Sequence, residues 1–185
     1  MKLAALLCTV FFVSCSVSHA QNAELKISSD DIEPNSTISN DHVFDGFGCS
    51  GKNIFPQISW DHVPQGTKSF ALTVYDPDAP TGSGWWHYVA VDIPVGYQSL
   101  PRGFATENKF QTSEGIKQVR NDYGMFKFGG PCPPKAHKPH RYIFTIFALD
   151  TEKLDVTGGS TAALAGFLMN YHALGKASFT AKYGR

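Results

Sequence analysis

Short apolar runs separated by glycine- and proline-rich stretches make up most of the sequence after residue 20. Residues 69–75 form a continuous β-branched and aromatic run, which is typical of a buried strand. Further strands are predicted at residues 85–93, 141–149 and 176–183, and weaker ones at residues 24–28, 57–60 and 117–121. With no internal repeat and no linker, the pattern predicts one β-rich domain over residues 21–185.

Two of these strands begin with a histidine that shares a face with apolar side chains. The period of two places Trp85, His87, Val89, Val91 and Ile93 together on one face of the strand at residues 85–93. On the strand that follows residue 140, the same period groups His140 with Tyr142, Phe144 and Ile146. We therefore expect both imidazoles to point inward and to lie near one another. A single inward histidine is more often a structural core residue in which one ring nitrogen is hydrogen-bonded. The prediction of a functional site therefore depends on the presence of two such histidines.

One helix is predicted near the end of the chain. Ser160 or Thr161 provides an N-cap, and Gly175 is suited to end the helix in a left-handed conformation. The apolar positions follow the spacing of one helix face, at Leu164, Phe167, Leu168 and Tyr171. Strands outnumber helices and do not alternate with them, so the predicted architecture is a sheet-on-sheet sandwich with peripheral helices.

The charge balance excludes one class of partner. The chain has 16 Lys and Arg against 16 Asp and Glu, and no basic run. Nucleic-acid-binding proteins have a basic excess or patch, so no nucleic-acid partner is predicted.

The first 20 residues are typical of a signal peptide. Lys2 precedes an apolar stretch too short to span a bilayer, and Ser18 and Ala20 are small residues at the positions that signal peptidase reads. Cleavage before Gln21 predicts a periplasmic or secreted protein. Lipidation at Cys15 is the alternative, although Phe12 stands where a lipoprotein signal prefers Leu.

Removal of the signal would leave two cysteines, Cys49 and Cys132. An oxidising compartment favours a disulfide between them. Two free thiols are the alternative, and a metal site is disfavoured because neither cysteine has a Cys-x-x-Cys partner.

The segment from Asp76 to Pro80 follows a buried strand and reads Asp-Pro-Asp-Ala-Pro. Two prolines stiffen the backbone, so the loop could hold a carboxylate in fixed geometry beside the two histidines. The alternative is a purely structural turn in which Asp76 and Asp78 bond to neighbouring amides. A second stiff segment, residues 129–135, contains three prolines and predicts a rigid loop or a pocket wall.

Three kinds of site are compatible with His87, His140 and the aspartates. A metal site is disfavoured because no compact ligand motif is present. A hydrolase would need a nucleophile, and Ser83 lacks the Gly-x-Ser-x-Gly context. An anion pocket requires only hydrogen-bond donors and a stiff rim. We predict a binding protein without enzymatic activity, metal or cofactor.

Four motifs in order resemble those of the phosphatidylethanolamine-binding proteins, also called Raf kinase inhibitor-like proteins. The motifs are residues 76–80, Trp85-Trp86-His87, residues 130–135 and His140-Arg141-Tyr142. Residues 81–87 and 46–56 resemble the bacterial YbhB/YbcL-type branch, and the exported start with two cysteines resembles its periplasmic YbcL-like members.

The resemblance implies a mainly β fold, an antiparallel β-sandwich with a few peripheral helices. It also implies a pocket for phosphate, phosphonate-like or carboxylate groups, such as phosphate or a phospholipid head group. By motif, its lining residues would be Asp76, Pro80, His87, Pro133, His140 and Tyr142. Asp78 would hold the loop and Arg141 would brace the fold. His87 and His140 would donate to the anion, and Asp76 would orient a histidine and favour its charged form. Anion affinity is then expected to fall as pH rises through the histidine range.

Two departures from the family pattern limit the transfer of a ligand. Pro139 precedes His140, and Cys132 stands where eukaryotic relatives often have Gly. The alternative function is an interaction or inhibitor protein that acts through its surface, on host proteins or proteases. A homodimer is compatible with the aromatic content, as relatives in the bacterial branch are often dimers.

Overall fold

The computed structural model describes residues 24–185, and the predicted signal peptide lies outside this part of the chain. Residues 24–185 form ten strands and one α-helix. In chain order they are β1 (Lys26–Ser28), β2 (Asp45–Gly46), β3 (Cys49–Ser50), β4 (Ile58–Asp61), β5 (Ser69–Asp76), β6 (Trp85–Pro94), β7 (Ser99–Leu100), β8 (Lys117–Gln118), β9 (His140–Leu149), α1 (Ala162–His172) and β10 (Ala173–Tyr183).

The strands form three antiparallel sheets. A five-stranded sheet has the order β10-β9-β5-β6-β8, a three-stranded sheet the order β1-β4-β7, and β2 pairs with β3 as a hairpin. The mainly β, antiparallel class predicted from the sequence is confirmed. Where a few peripheral helices were expected, residues 24–185 contain one α-helix.

The main core lies on one face of the five-stranded sheet. Side chains from that sheet, such as Phe70, Leu72 and Phe144, pack there with Ile58 and Trp60 of the smaller sheet. Such a two-layer arrangement buries the apolar face of each sheet against the other. On β9 the predicted alternation is confirmed, because Tyr142, Phe144 and Ile146 all belong to this core.

The predicted face of β6 is only partly correct, because two bulges interrupt its alternation. His87 is an extra residue between the pairs Val74–Tyr88 and Tyr75–Trp86. A bulge leaves one residue unpaired and changes the side-chain phase on either side of it. Val89 and Val91 therefore pack in a second core under α1, on the opposite face from Tyr88, Ala90 and Ile93 in the main core.

Helix α1 covers the second face of the sheet with side chains that the periodicity does not single out. Its buried residues are Ala162, Ala165 and Met169. Of the predicted apolar face, only Leu168 packs against this core, whereas Leu164, Phe167 and Tyr171 are exposed, Phe167 to 67% and Tyr171 to 76%. Two alanines let the helix backbone approach the sheet closely, which explains why the bulkier side chains lie on the other side.

The ends of α1 agree with the prediction at one terminus only. Thr161 is the N-cap, and its hydroxyl oxygen accepts a hydrogen bond from the amide of Leu164 at 3.1 Å. The helix ends at His172 rather than at Gly175, since the backbone is extended from Ala173 onward and continues directly into β10. Gly175 lies within β10, where a Cβ atom would contact Pro64 at 3.0 Å.

No helix among residues 24–185 has the length and apolar character needed to cross a membrane.

The packing of α1 gives a direct test of which helix face carries stability. Met169→Ala removes a fully buried side chain, so we expect a loss of about 2–5 kcal/mol in the free energy of unfolding. Phe167→Ala is the matched control, because an exposed side chain should change stability by less than about 0.5 kcal/mol. The free energy of unfolding of both variants is measured by denaturant unfolding. A larger loss in Phe167→Ala than in Met169→Ala would contradict the assignment of the buried helix face.

Candidate ligand pocket

The carboxylate of Asp76 is buried at the end of β5, and both of its oxygens accept hydrogen bonds. Oδ2 lies 2.7 Å from Nδ1 of His140, and Oδ1 accepts the amide of Asp78 at 2.8 Å. Because β9 runs antiparallel to β5, the first residue of β9 lies beside the last residue of β5. The sheet therefore brings together two residues that are 64 positions apart in sequence.

Asp78 and Arg141 fasten the loop after β5 to the start of β9. Nε and Nη2 of Arg141 donate to the two oxygens of Asp78 at 2.9 and 2.7 Å, and the Arg141 amide donates at 2.9 Å. The hydrogen bonds from Arg141 lower the pKa of Asp78 to about 2. This two-pronged contact lies outside the cavity, so the geometry fits the supporting role expected of both residues.

His87 occupies the bulge of β6 and is 2% exposed. Its Nδ1 lies 2.6 Å from the carbonyl oxygen of Gly129, so Nδ1 carries the proton and donates. Burial lowers the pKa of His87 to about 4, which keeps the ring neutral near pH 7. In that tautomer Nε2 has a lone pair and accepts. The structure thus disagrees with the prediction that His87 donates to an anion.

His140 has a different environment, although it also begins beside the cavity. Its Nδ1 faces the carboxylate of Asp76 rather than a backbone carbonyl. Its Nε2 lies 3.3 Å from Nδ1 of His137, on the exposed loop before β9. Asp76 and His137 therefore fix the orientation of the His140 ring at the edge of the cavity.

Tyr142 and Trp85 present polar atoms to the same region. The Tyr142 hydroxyl and the Trp85 indole nitrogen are buried and have no hydrogen-bond partner within residues 24–185. Tyr142 lies two positions after His140 on β9, and its ring packs edge-on against His87 with centroids 5.1 Å apart. Burial raises the pKa of Tyr142, so the hydroxyl stays protonated and can donate.

A cavity of about 190 Å³ lies at this end of the large sheet. All six residues predicted to bind the ligand line it, namely Asp76, Pro80, His87, Pro133, His140 and Tyr142. Typical drug-sized sites occupy about 300–1,000 Å³, so this volume suits a small head group rather than a long chain. Asp78 and Arg141 do not line the cavity.

Further lining residues are absent from the predicted set. They are Phe47, Ala79, Thr81, Trp85, Tyr123, Cys132 and Pro134. Trp85 could have been found from the sequence, because it precedes His87 by two positions in the same motif. Tyr123 could not, since it lies in a long loop without periodicity; there it stacks on Phe44 at 4.2 Å and donates from its hydroxyl to the Gly130 carbonyl at 2.9 Å.

The wall formed by residues 129–134 is held from several directions. The amide of Gly130 donates to Oδ1 of Asn53 at 2.7 Å, and a Cβ atom at Gly130 would overlap the carbonyl oxygen of His42. The predicted disulfide joins Cys132 to Cys49 of β3, with their Cα atoms 6.0 Å apart. Sequence reasoning missed Arg185, which donates from Nε to the carbonyl of Pro133 at 2.6 Å.

The side chains around the cavity do not form a metal centre. Within residues 24–185, no group of three His, Cys, Asp or Glu side chains is arranged to hold a metal ion. Both oxygens of Asp76 and Nδ1 of each cavity histidine already have protein partners. The polar atoms of cavity-lining residues that have no protein partner within residues 24–185 are Nε1 of Trp85, Nε2 of His87 and the hydroxyl of Tyr142.

Comparison with known proteins assigns the family. The sequence model of the family described as phosphatidylethanolamine-binding protein matches residues 28–184. The chain belongs to the phosphatidylethanolamine-binding protein family. The resemblance seen in the four sequence motifs is thereby confirmed.

Two relatives in this family come from Escherichia coli strain K12. YbcL is 46% identical over 164 residues, which cover 89% of this chain and 90% of YbcL. YbhB is 46% identical over 159 residues, covering 86% of this chain and 99% of YbhB. The crystal structure of E. coli YbcL matches with a TM-score of 0.84 over 88% of this chain and 99% of that one.

A more distant relative in Mycobacterium tuberculosis carries the name lipoprotein LppC. It is 34% identical over 131 residues, which cover 71% of this chain and 60% of LppC.

The buried neutral state of His87 predicts an acid-sensitive contribution to stability. Its pKa is lower in the folded protein than the ordinary value of about 6.5, so the unfolded chain binds the additional proton between about pH 4 and 6.5. Stability is therefore lost as pH falls through this window, by up to about 3 kcal/mol.

His87→Asn keeps a donor for the Gly129 carbonyl but removes the titrating ring, so its stability should decline less steeply between pH 6.5 and 4. Denaturant unfolding as a function of pH measures the slope. His62→Asn, at a solvent-exposed position outside the cavity, serves as the control with the original slope. Parallel curves for the parent protein and His87→Asn would contradict a depressed pKa at His87.

Proposed function

We propose that this chain is an exported binding protein whose cavity accepts a small anionic group, such as phosphate or a phospholipid head group. The observation that carries the proposal is the clustering of unpaired polar atoms. Few buried side-chain nitrogen or oxygen atoms of residues 24–185 lack a hydrogen-bond or ion-pair partner. Three of them belong to the cavity residues Trp85, His87 and Tyr142.

Leaving a polar group buried and unpaired costs about 1–3 kcal/mol. The stability of the fold does not explain three such atoms around one small cavity, because apolar side chains could fill the same space without this energetic cost. A bound oxyanion would give Trp85 Nε1 and the Tyr142 hydroxyl an acceptor each. His140 would add a further donor, held in place by Asp76.

Binding rather than catalysis is favoured because Ser83, the candidate nucleophile, lies outside the cavity. Ser83 is an exposed loop residue that does not line the cavity, and its backbone carbonyl accepts a hydrogen bond from the Tyr75 hydroxyl at 2.7 Å. The family assignment supports the same direction, since the family is described by the binding of phosphatidylethanolamine. We therefore propose no enzymatic step for this site.

A pair of tyrosine variants tests the proposal. Tyr142→Phe removes an unpaired hydroxyl, so we expect unchanged or slightly higher stability together with about 10- to 100-fold weaker binding of phosphate and phosphoethanolamine. Tyr88→Phe is the matched control, because the Tyr88 hydroxyl donates to Oε1 of Gln118 at 3.0 Å, outside the cavity. Its loss should lower stability and leave anion binding unchanged.

The measurement is a titration of the purified protein followed by NMR, with His140→Ala as a third variant. Saturable chemical-shift changes in cavity residues are expected for the parent protein and for Tyr88→Phe, and should be lost in His140→Ala. Affinity should weaken across roughly pH 5–8, where histidine imidazoliums lose their proton. An absence of saturable binding in the parent protein would refute the anion site and favour a role carried by the surface.

Export is the second part of the proposal. It is supported by the Cys49–Cys132 disulfide, by the resemblance of residues 1–20 to a signal peptide, and by the lipoprotein name of the M. tuberculosis relative. Disulfides persist in oxidising compartments outside the cytosol. Mass spectrometry of the protein from an extracytoplasmic fraction should find Gln21 at its N-terminus. A lipid-modified Cys15, or an intact Met1 in the cytosol, would contradict cleavage after Ala20.

A further inference from the structure

The outer face of helix α1 is apolar and carries no acidic or strongly basic side chain. Residues 156–175, which include the whole helix, contain no Asp, Glu, Lys or Arg. Leu164, Phe167 and Tyr171 nevertheless point outward and are exposed. Surface helices normally turn charged and polar side chains toward solvent, whereas the centre of a protein interface is rich in aromatic residues and poor in charge. The outer face of α1 therefore has the composition of a contact surface.

The longer polar side chains of this helix already have partners within the chain. Nδ2 of Asn170 donates to the carbonyl of Gly166 at 2.8 Å, one turn earlier in the same helix. Nδ1 of His172 lies 2.7 Å from the carboxylate of Asp150. A partner could therefore cover α1 without taking an unpaired charge out of water, which would oppose association.

The spacing of the exposed apolar side chains makes this face complementary to a copy of itself. Leu164 and Tyr171 lie three residues before and four residues after Phe167, and residues at these separations form one row on a helix surface. Two copies of α1 packed antiparallel about a two-fold axis near Phe167 bring Leu164 of each copy against Tyr171 of the other. An aliphatic side chain then meets an aromatic ring twice, and the two Phe167 rings meet at the axis.

The charge of the chain favours a second copy as the partner. The 16 Lys and Arg balance the 16 Asp and Glu, and the sequence pI is about 7.0, so two copies do not repel each other near neutral pH. Helices that lie on a membrane surface carry Lys and Arg beside their apolar face. Helix α1 has neither residue, so a second copy fits this face better than a bilayer does.

The exposed apolar area suits the centre of an interface of modest size. A fully buried aromatic side chain contributes about 150–250 Å², so Phe167 and Tyr171 at their exposed fractions offer about 300 Å² together. Leu164 and Leu174, 44% and 43% exposed, add apolar surface at the two ends of the row. Each partner in a standard interface buries about 800 Å², so polar neighbours must form the rim. We therefore expect a dissociation constant on the order of 10 μM.

We propose that the protein forms a reversible homodimer with two-fold symmetry, in which α1 of one copy packs antiparallel against α1 of the other. No residue of α1 lines the cavity, so this inference is independent of the proposed anion-binding function.

The experiment is sedimentation velocity of the purified protein at concentrations from about 1 to 200 μM, which span the expected dissociation constant. We expect the parent protein to change from monomer to dimer over this range. Phe167→Glu places two carboxylates together at the axis, so association should weaken at least about 30-fold. Val95→Glu is the matched control, because Val95 is an exposed apolar residue outside α1, and its dissociation constant should equal that of the parent protein.

A stability measurement separates loss of the interface from misfolding. Because Phe167 is exposed, Phe167→Glu should unfold at the same denaturant concentration as the parent protein when both are monomeric.

A pair of opposite charges tests the antiparallel arrangement. Leu164→Lys and Tyr171→Glu should each weaken the dimer at least about tenfold, since each places an unpaired charge in the interface. The variant with both substitutions pairs the ammonium group of one copy with the carboxylate of the other. Its dissociation constant should therefore be at least about tenfold lower than that of either single variant.

A parent protein that remains monomeric over the whole concentration range would overturn the proposal, and so would a dimer that Phe167→Glu leaves intact. If the doubly substituted variant associates no more tightly than the single ones, the antiparallel arrangement is wrong. Co-sedimentation of a monomeric parent protein with phosphatidylethanolamine–phosphatidylglycerol vesicles, lost in Phe167→Glu, would assign the face to a bilayer and overturn the dimer.

Discussion

The buried carboxylate of Asp76 connects the two strands on which the cavity depends. One oxygen accepts from His140 at the start of β9, and the other turns the chain after β5 by accepting the amide of Asp78. Asp76 and His140 both line the cavity, so this one contact fixes the orientation of an imidazole ring at the point where the two strands meet.

The sequence is informative where side chains alternate without interruption. On β9 the phase from His140 to Ile146 holds through the whole strand, because the register with β5 and β10 is regular there. The motif at residues 76–80 is equally informative, since its prolines and an aspartate restrict the local backbone without any long-range contact. These two segments supply four of the predicted lining residues.

Where the prediction fails, the cause is a long-range contact. The bulge that turns His87 toward Tyr142 is defined by pairing with β5, which a single strand does not reveal. Helix α1 buries its alanines because the sheet beneath it sets the approach distance, so its larger apolar residues mislead a periodicity argument. The donor sense of His87 depends on the carbonyl of Gly129, 42 residues away in sequence.

The wall opposite the histidines is covalently and sterically fixed. Pro131, Pro133 and Pro134 restrict its backbone, and the bridge from Cys132 to Cys49 closes a separation of 83 residues. A wall whose backbone is fixed in advance loses little conformational entropy when another molecule packs against it. The same rigidity prevents the cavity from widening, so the fold itself excludes larger molecules before any of them makes a contact inside.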